Sequence, residues 1–285
     1  MTIRKVGVVG CGQMGSGIAQ VGALSGYEVK VREVTMELFE RGFRRIEGSL
    51  AKFVEKQKLT ATDRDAALKR ISGTTALSDL KDCDLVVDAV IEDFDEKTRI
   101  FRELDGLCGP QTILASNTSS LSIGDMAAVT KRRDRFCGLH FFNPVPMMRL
   151  VEVVRTIDTS EETFQAAKSF AESLGKTAVA AKDSPGFVVN RLLIPYLLDA
   201  VRALEAGVAS REDIDNGMML GCGHPMGPLA LADFIGLDTV LYIADIMFAE
   251  LKDTRCAVPP LLRRLVQAGY LGKKSGRGFF EYPAR

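Results

Sequence analysis

The sequence lacks the features that mark secreted, membrane-spanning or disulfide-linked proteins. None of the six cysteines forms a Cys-x-x-Cys pair, so we expect reduced thiols in the core and no zinc or other metal site. No apolar run is long enough to cross a bilayer, and the N-terminus lacks the pattern of a signal peptide. These absences favour a cytoplasmic protein, although a removed mitochondrial presequence would leave no trace.

Net charge is absent as well, because 37 lysines and arginines balance 37 aspartates and glutamates. A zero balance gives no indication of a nucleic-acid or membrane partner. It leaves open a local basic patch that binds a phosphorylated ligand. Histidine is scarce, with only His140 and His224. The 285 residues, of which 46% are hydrophobic, suffice for about two globular domains.

Strand and helix patterns alternate over the first two thirds of the chain. We predict strands at 5–9, 28–32, 85–90, 112–115, 136–139, 151–154 and 178–181. Amphipathic helices are predicted between several of them, at 13–24, 36–58, 63–70, 95–108 and 161–174. The last helix is expected to begin at a capping box formed by Thr159 and Glu162. Such alternation predicts a parallel sheet covered by helices on both faces.

The pattern becomes helical after Lys182. Helices are predicted at 187–206, from 210 onward, at 229–250 and at 259–268, followed by a short strand at 278–282. Pro195 should kink or break the first of these helices. The sequence therefore predicts an α/β domain at 1–184 and an all-α domain at 185–285, with a boundary near Ser184.

The turn after the first strand has the pattern G-x-G-x-x-G, formed by Gly10, Gly12 and Gly15. In a Rossmann-type dinucleotide-binding fold, the first glycine permits the turn, the second admits the pyrophosphate and the third lets helix and strand pack closely. The N–H groups of Gln13 and Met14 then face the phosphates. Because the pattern follows a strand and opens a helix, it predicts a dinucleotide site; a purely structural glycine turn is the alternative.

An acid at the end of the second strand bears on the identity of the cofactor. Glu33 lies about 20 residues beyond the glycine turn, where a carboxylate binds the adenosine ribose hydroxyls. It favours NAD, because it would repel the 2′-phosphate of NADP, but the neighbouring Arg32 leaves NADP open. FAD shares the fingerprint, but the short chain and the helical second domain favour a nicotinamide cofactor.

His140 ends a predicted strand, and the carboxyl ends of parallel strands face the ligand crevice in such folds. Glu152 stands alone among apolar residues in the next strand, and a buried carboxylate needs a partner. We predict that it pairs with His140, fixing the tautomer of the imidazole and favouring its protonated form. A structural histidine is the alternative.

Two further polar groups lie where a substrate could be held. The run 116–120, which contains Ser119, follows a strand, so its hydroxyls can reach the same crevice. The alternative is a cap for a helix that begins near Ile123. Asn190 lies within an apolar helix, where its amide needs a backbone or ligand partner.

Longer strings make a resemblance recognisable. They are GCGQMGSGIAQ from Gly10, SNTSSLSI from Ser116, GLHFFNPVPMMRLVEVV from Gly138, KDSPGFVVNRLL from Lys182 and GHPMGPLALADFIGLD from Gly223. Over essentially its full length the chain resembles the L-3-hydroxyacyl-CoA dehydrogenase family, in particular its short bacterial members that act on 3-hydroxybutyryl-CoA. The resemblance implies hydride transfer between NAD(H) and C3 of a short-chain 3-hydroxyacyl-CoA or 3-ketoacyl-CoA.

The resemblance also implies the roles of the polar residues. His140 is implied to be the catalytic acid/base, with Glu152 as its partner. Ser119 and Asn190 are implied to complete the catalytic set by holding the reacting oxygen or the thioester carbonyl of the substrate. His224, in a bend rich in glycine and proline, receives no chemical role.

Further family positions imply contacts with the two ligands. Glu92, Lys97 and Asn143 match positions that contact the nicotinamide cofactor. Ser49 and Lys56 match loosely the positions that contact coenzyme A, with a solvated helix face as the alternative. The helical domain is implied to bind substrate and to form a homodimer.

Two other functions stay open on sequence alone. One is a related dehydrogenase that acts on a free hydroxy acid or sugar acid. The other is a non-catalytic protein that retains cofactor binding, against which the complete set of polar residues argues. The sequence also leaves open the acyl-chain length and the direction of the reaction. The pathway can be either fatty-acid oxidation or butanoate formation.

Overall fold

An eight-stranded sheet lies in the first of two compact units, Met1–Ser184 and Pro185–Arg285. The structure is a computed structural model that describes residues 2–283. The strands are β1 (Lys5–Val9), β2 (Glu28–Arg32), β3 (Ile71–Thr74), β4 (Leu85–Asp88), β5 (Ile113–Ser116), β6 (Phe136–Phe141), β7 (Leu150–Arg155) and β8 (Thr177–Lys182). The helices of this unit are α1 (Gln13–Leu24), α2 (Met36–Glu55), α3 (Ala61–Lys69), α4 (Phe94–Leu107), α5 (Ile123–Ala128) and α6 (Glu161–Ser173).

The strand order is β3-β2-β1-β4-β5-β6-β7-β8, and the first six strands run parallel. This is the doubly wound order of dinucleotide-binding folds, so the prediction of a Rossmann-type domain is confirmed. All residues of β4 and β5 are buried, as expected for central strands covered on both faces. Helix α2 fully buries Ile46 and Leu50, each of which contributes about 1.5–3 kcal/mol to folding.

The prediction of an all-parallel sheet is wrong at one position. Strand β7 runs antiparallel to β6, and the register pairs His140 with Glu152. The segment 142–149 between the two strands is too short for a crossover helix, so the chain turns back along the same edge. Strand β8 then pairs in parallel with β7.

Strand β3 was not predicted from the sequence, because Ile71–Thr74 has only one strongly apolar residue. It pairs with β2 at the edge of the sheet. A Cβ at Gly73 would lie 2.4 Å from the ring of Phe39, so glycine lets α2 pack directly on this edge strand.

The predicted cap of α6 is also wrong by one residue. Ser160, and not Thr159, caps the helix by accepting from the backbone N–H of Thr163 at 3.2 Å. The Thr159 hydroxyl instead donates to the carbonyl oxygen of Phe136 at 2.7 Å. It therefore ties the loop before α6 to the start of β6.

The second unit consists of helices around an apolar core. They are α7 (Val189–Glu205), α8 (Arg211–Cys222), α9 (Pro228–Ile235), α10 (Leu237–Leu251) and α11 (Pro260–Gln267).

The elements of this unit differ from the predicted ones at several places. Pro195 lies inside α7 and does not break it, because the helix continues past this residue. The single helix predicted at 229–250 is two helices, because Gly236 takes a φ of 106° between α9 and α10. The predicted strand at 278–282 is reduced to an isolated bridge between Arg277 and Glu281.

None of the helices within residues 2–283 combines the length and the apolar character that a membrane span requires.

Candidate active site

The glycine turn between β1 and α1 uses its three glycines for different reasons. Gly10 has a φ of 97°, in the region that favours glycine. A Cβ on Gly15 would lie 1.9 Å from the Gly10 carbonyl oxygen, so only glycine allows this approach of helix and strand. A Cβ on Gly12 would meet no atom within 4 Å. That open cradle at the N-terminus of α1, below the N–H groups of Gln13 and Met14, fits a dinucleotide pyrophosphate.

Glu33 follows β2 and lies beside this turn. Its Oε1 accepts from the backbone N–H of Cys11 at 2.7 Å, and its Oε2 accepts from that of Val34 at 2.8 Å. The carboxylate is half-buried, so it is held at the mouth of the turn, where an adenosine ribose is expected. Burial, and next the negative charge of Glu33, raise the pKa of the Cys11 thiol to about 12.

A buried ion network lies at the end of β4. The ammonium of Lys97, only 1% exposed, lies 2.8 Å from Asp88 Oδ2 and 3.4 Å from Glu92 Oε2. The Ser116 hydroxyl donates to the same Asp88 oxygen at 2.8 Å. Asp88 also accepts from the N–H of Val90 at 3.1 Å, which turns the chain away from the sheet. Lys97 therefore supports Glu92 from behind and is itself shielded from solvent.

Glu92 organises the polar loop after β5. Its Oε1 accepts from the backbone N–H of Ser119 at 3.0 Å and from the Ser120 hydroxyl at 3.2 Å. It also accepts a short hydrogen bond from the Thr118 hydroxyl. One carboxylate thus links a predicted cofactor position with the loop that carries the predicted substrate contact, Ser119. The cap of α5 is Ser122, so the run 116–120 is not that cap.

His140 and Glu152 form the predicted pair. The Nδ1 of His140 and the Oε2 of Glu152 are 2.6 Å apart, and the two residues are 6% and 0% exposed. The ring of Phe142 packs against the imidazole with a centroid distance of 4.5 Å. The Glu152 carboxylate accepts a hydrogen bond from Nδ1–H, which leaves Nε2 as the nitrogen that can exchange a proton with a substrate.

Two amide side chains tie the neighbouring loops to this pair. Asn117 Oδ1 accepts from the backbone N–H of Phe141 at 2.9 Å, which joins the polar loop to the end of β6. Gln13 Nε2 donates to Asn143 Oδ1 at 2.9 Å, which joins the start of α1 to the residues just beyond His140. The glycine turn, the polar loop and the imidazole therefore share one end of the sheet, as the sequence predicted.

The remaining predicted residues lie further out or in the other unit. Ser49 is half-buried on α2 and lines a cleft beside Gln13 and Asn143. Lys56 is exposed at the C-terminal end of α2. Asn190 is a buried residue of α7 in the second unit.

Residues 5–184 match the family model described as the NAD binding domain of 3-hydroxyacyl-CoA dehydrogenase, and residues 186–282 match that of its C-terminal domain. The chain belongs to the 3-hydroxyacyl-CoA dehydrogenase family. This membership confirms the resemblance derived from the sequence strings, and with it the expectation of NAD as the cofactor of the Rossmann domain.

Proteins of known name are similar to the chain over nearly its whole length. The 3-hydroxybutyryl-CoA dehydrogenase of Mycobacterium tuberculosis is 52% identical over 282 residues, which cover 98% of this chain and 99% of the relative. The structure of the (S)-3-hydroxybutyryl-CoA dehydrogenase from Ralstonia eutropha is 47% identical with a TM-score of 0.97, covering 99% of this chain and 100% of the other. A diketoreductase structure is 32% identical with a TM-score of 0.87, again covering 99% and 100%.

The sequence patterns do not predict two residues that support the site. The strand predicted at 85–90 extends past Asp88, whereas β4 ends there; an acid directly after three apolar strand residues is a signal for a functional end of that strand. Asn117 belongs to the run 116–120, for which the sequence predicts a role only for Ser119. The backbone contact that it makes with β6 depends on strand order, which local patterns do not reveal.

Proposed function

We propose that this enzyme interconverts 3-hydroxybutyryl-CoA and acetoacetyl-CoA with NAD(H) as the hydride carrier. The observation that carries the proposal is the buried His140–Glu152 pair next to a dinucleotide cradle. Full-length relatives at 50% and 52% identity bear the name of this dehydrogenase, which supports the choice of substrate.

In the oxidative direction, His140 Nε2 accepts the proton of the substrate's 3-hydroxyl group. Glu152 holds Nδ1 and stabilises the imidazolium that forms, because the carboxylate is buried and has the opposite charge. In the reductive direction, protonated His140 donates to the oxygen of the 3-keto group. General acid–base catalysis of this kind is worth roughly 100- to 10,000-fold in rate.

Ser119 and Asn190 are proposed as the groups that hydrogen-bond the reacting oxygen or the thioester carbonyl. For Ser119, support comes from Glu92 Oε1, which accepts from the backbone N–H of Ser119 at 3.0 Å and from its hydroxyl at 3.5 Å and so fixes the position of that hydroxyl. For Asn190, support comes from the family resemblance and from its burial in α7. A positioned substrate reacts faster because its orientation is already restricted.

The residues proposed to hold NAD are the fingerprint glycines, the N–H groups of the first turn of α1, Glu33, Glu92, Lys97 and Asn143. When bound, the cofactor supplies the nicotinamide ring that accepts or gives the hydride. Glu33 orients the adenosine ribose, and its charge favours NAD over NADP. Lys97 acts indirectly, by fixing the Glu92 carboxylate.

Oxidation of NADH followed by absorbance tests the proposal. We expect turnover with acetoacetyl-CoA and none with free acetoacetate. Turnover of the free acid with none of the thioester would contradict the proposal and favour a dehydrogenase of free acids. Because the diketoreductase relative is 32% identical, a simple diketone belongs in the same substrate panel.

A homodimer and a cytoplasmic location stay predictions. The second unit exposes several large apolar side chains, among them Leu192, Val208, Leu220 and Phe234, which are 55% to 83% exposed. A monomer rarely leaves such side chains in contact with water over a wide area, which supports a dimer formed by this unit. Light scattering coupled to size-exclusion chromatography measures the mass; a monomer at micromolar concentration would contradict the proposal.

A further inference from the structure

Five polar residues form a closed circle of hydrogen bonds and ion pairs near the ends of β4 and β5. They are Asp88, Glu92, Lys97, Ser116 and Thr118, and we call them the polar ring. The Lys97 ammonium contacts Asp88 Oδ2 at 2.8 Å and Glu92 Oε2 at 3.4 Å. The Ser116 hydroxyl donates to Asp88 Oδ2 at 2.8 Å and accepts from the backbone N–H of Thr118 at 3.3 Å. A short hydrogen bond from the Thr118 hydroxyl to Glu92 Oε1 closes the circle.

Burial divides the polar ring into a closed part and an open part. Asp88, Lys97, Ser116 and Thr118 are buried, whereas the side chain of Glu92 is 27% exposed. The buried members satisfy one another, as polar groups removed from water must. Glu92 is therefore the member of the ring that a ligand can reach, and the other four determine where its two oxygens lie.

The Thr118 hydroxyl is the point at which the polar ring meets the loop that carries Ser119. A hydroxyl group has one proton to donate and two lone pairs that accept. Thr118 donates its proton to Glu92. Its oxygen accepts from the backbone N–H groups of Ser120 at 3.3 Å and of Leu121 at 3.0 Å. One side chain thus fixes a carboxylate and the two peptide groups that follow Ser119.

Burial alternates along this loop. Thr118 and Ser120 are buried, and Ser119 between them is half-buried. Glu92 Oε1 accepts from the backbone N–H of Ser119 at 3.0 Å and from its hydroxyl at 3.5 Å. The anchored residues on either side therefore orient the proposed substrate contact, while the same carboxylate is the proposed cofactor contact.

We propose that Thr118 is a positioning residue for both ligands. Its hydroxyl holds the Glu92 carboxylate in place for the nicotinamide cofactor, and it folds the loop so that Ser119 meets the reacting oxygen or the thioester carbonyl of the substrate. Thr118 acts through these two residues, because its own side chain is fully buried. The inference rests on the proposed function, since it takes NAD(H) and a 3-ketoacyl thioester as the ligands.

Thr118→Val keeps the size and branching of the side chain but removes all three hydrogen bonds of the hydroxyl. We expect the dissociation constant of NADH to rise about tenfold, because binding then has to reorder the Glu92 carboxylate. The kcat for acetoacetyl-CoA should fall about 10- to 100-fold, because Ser119 is no longer held in its place. A fluorescence titration and steady-state kinetics at saturating NADH measure these two quantities.

Two further measurements separate the hydroxyl from the packing of the side chain. Thr118→Ser retains the hydroxyl, so both quantities should stay within about threefold of wild type. In the absence of any ligand, hydrogen exchange at the N–H groups of Ser120 and Leu121 should be faster in Thr118→Val than in wild type, because both lose their acceptor. Losses as large in Thr118→Ser as in Thr118→Val, or equal exchange rates in wild type and Thr118→Val, would overturn the proposal.

Thr112→Val is the matched control, because Thr112 is also a buried threonine and directly precedes β5. Its hydroxyl donates to the carbonyl oxygen of Cys83 at 2.8 Å, at the other end of the strand from Thr118. Both valine variants should lower the melting temperature, but Thr112→Val should leave NADH binding and kcat unchanged. A lower melting temperature in Thr118→Val with unchanged NADH binding and kcat would make Thr118 a structural residue, and similar kinetic losses in Thr112→Val would attribute them to general destabilisation; either result contradicts the proposal.

A double variant tests whether Thr118 acts on the cofactor through Glu92. Thr118→Val combined with Glu92→Met should bind NADH no more weakly than Glu92→Met alone, since the contact between the two residues is already lost. Additive losses would refute this route. If Thr118→Val does not fold, Ser116→Ala breaks the polar ring at the next contact. It should weaken NADH binding and lower kcat in the same direction, and no change in either quantity would refute the proposal.

The proposed function and the positioning role fail separately. If wild type does not oxidise NADH with acetoacetyl-CoA, the proposed function fails. If wild type is active and Thr118→Val matches it in NADH binding and in kcat, only the positioning role of Thr118 fails.

Discussion

The imidazole of His140 and the carboxylate of Glu152 face each other across neighbouring antiparallel strands, with Nδ1 and Oε2 2.6 Å apart. Both residues are buried within regular strands, so the sheet itself sets their geometry. Groups on strands are positioned more accurately than groups on loops. The fold alone therefore fixes the relative position of the two side chains.

Replacing the imidazole tests whether it transfers the proton. His140→Gln should lower kcat by at least about 100-fold, while the dissociation constant for NADH stays near that of wild type. The only other histidine provides the control: His224, which bonds to Tyr196 in the second unit, should tolerate the same change. Steady-state kinetics and a fluorescence titration measure both quantities, and near-normal turnover of His140→Gln would remove it from the mechanism.

Removing the charge of Glu152 should have a different signature. Glu152→Gln keeps the shape and a hydrogen-bonding side chain, but it no longer stabilises the imidazolium, so kcat should fall while the melting temperature changes little. Glu162→Gln, at an exposed position on α6, serves as the control. A collapse of thermal stability with unchanged kcat of the folded fraction would make Glu152 a structural residue.

The glycine turn yields a prediction in which stability and binding separate. Gly15→Ala places a methyl group 1.9 Å from the Gly10 carbonyl oxygen, so it should destabilise the domain strongly. Gly12→Ala meets no protein atom within 4 Å, so the melting temperature should be kept. Its methyl group would occupy the phosphate cradle, and NADH should bind about tenfold more weakly or worse. Unchanged NADH binding in Gly12→Ala would place the pyrophosphate elsewhere.

Lys97 should matter for folding as well as for the cofactor site. Lys97→Met leaves the buried Asp88 without its ammonium partner, a change that costs about 3–5 kcal/mol in the free energy of unfolding. Lys168→Met provides the comparison, since its pair with Glu172 is exposed and should be worth less than about 1 kcal/mol. Urea denaturation measures both, and equal small losses would contradict the buried network.

Thiol reactivity should single out one cysteine. Cys222 is exposed, whereas the other five are buried, and burial raises the pKa of Cys83 and Cys137 to about 12. A raised pKa means that these thiols stay protonated, and hence unreactive, well above neutral pH. At pH 8 a chromogenic disulfide reagent should titrate one fast thiol in the native protein and none in Cys222→Ser. A fast thiol remaining in that variant would contradict the burial of the others.

Much of this site could be predicted because its residues break the local pattern. Glu152 is an acid within an apolar strand, and the fingerprint glycines stand between a strand and a helix. Those signals are local, and they sufficed to predict the contact between His140 and Glu152; the phosphate cradle stays a prediction. The reversal of β7 could not be seen in the same way, since strand direction depends on how the segment 142–149 folds back.

Other features depend on partners that are distant in sequence. The edge strand β3 contains Gly73, which weakens the sequence pattern of a strand. Glycine is needed there because the ring of Phe39 on α2 leaves no room for a Cβ atom. The role of Asp88 depends on Lys97 and Ser116, which belong to two other elements. Only the assembled sheet brings these groups together.

The Glu92 carboxylate has a consequence for protein engineering. It holds Ser119 and Ser120 through one oxygen and contacts the Lys97 ammonium with the other. A library that varies the proposed cofactor contact at position 92 would also release the loop that carries Ser119, so selection for one ligand alone would change the binding of the other. Such libraries should randomise positions 92 and 118–120 jointly, and screen each clone against both ligands.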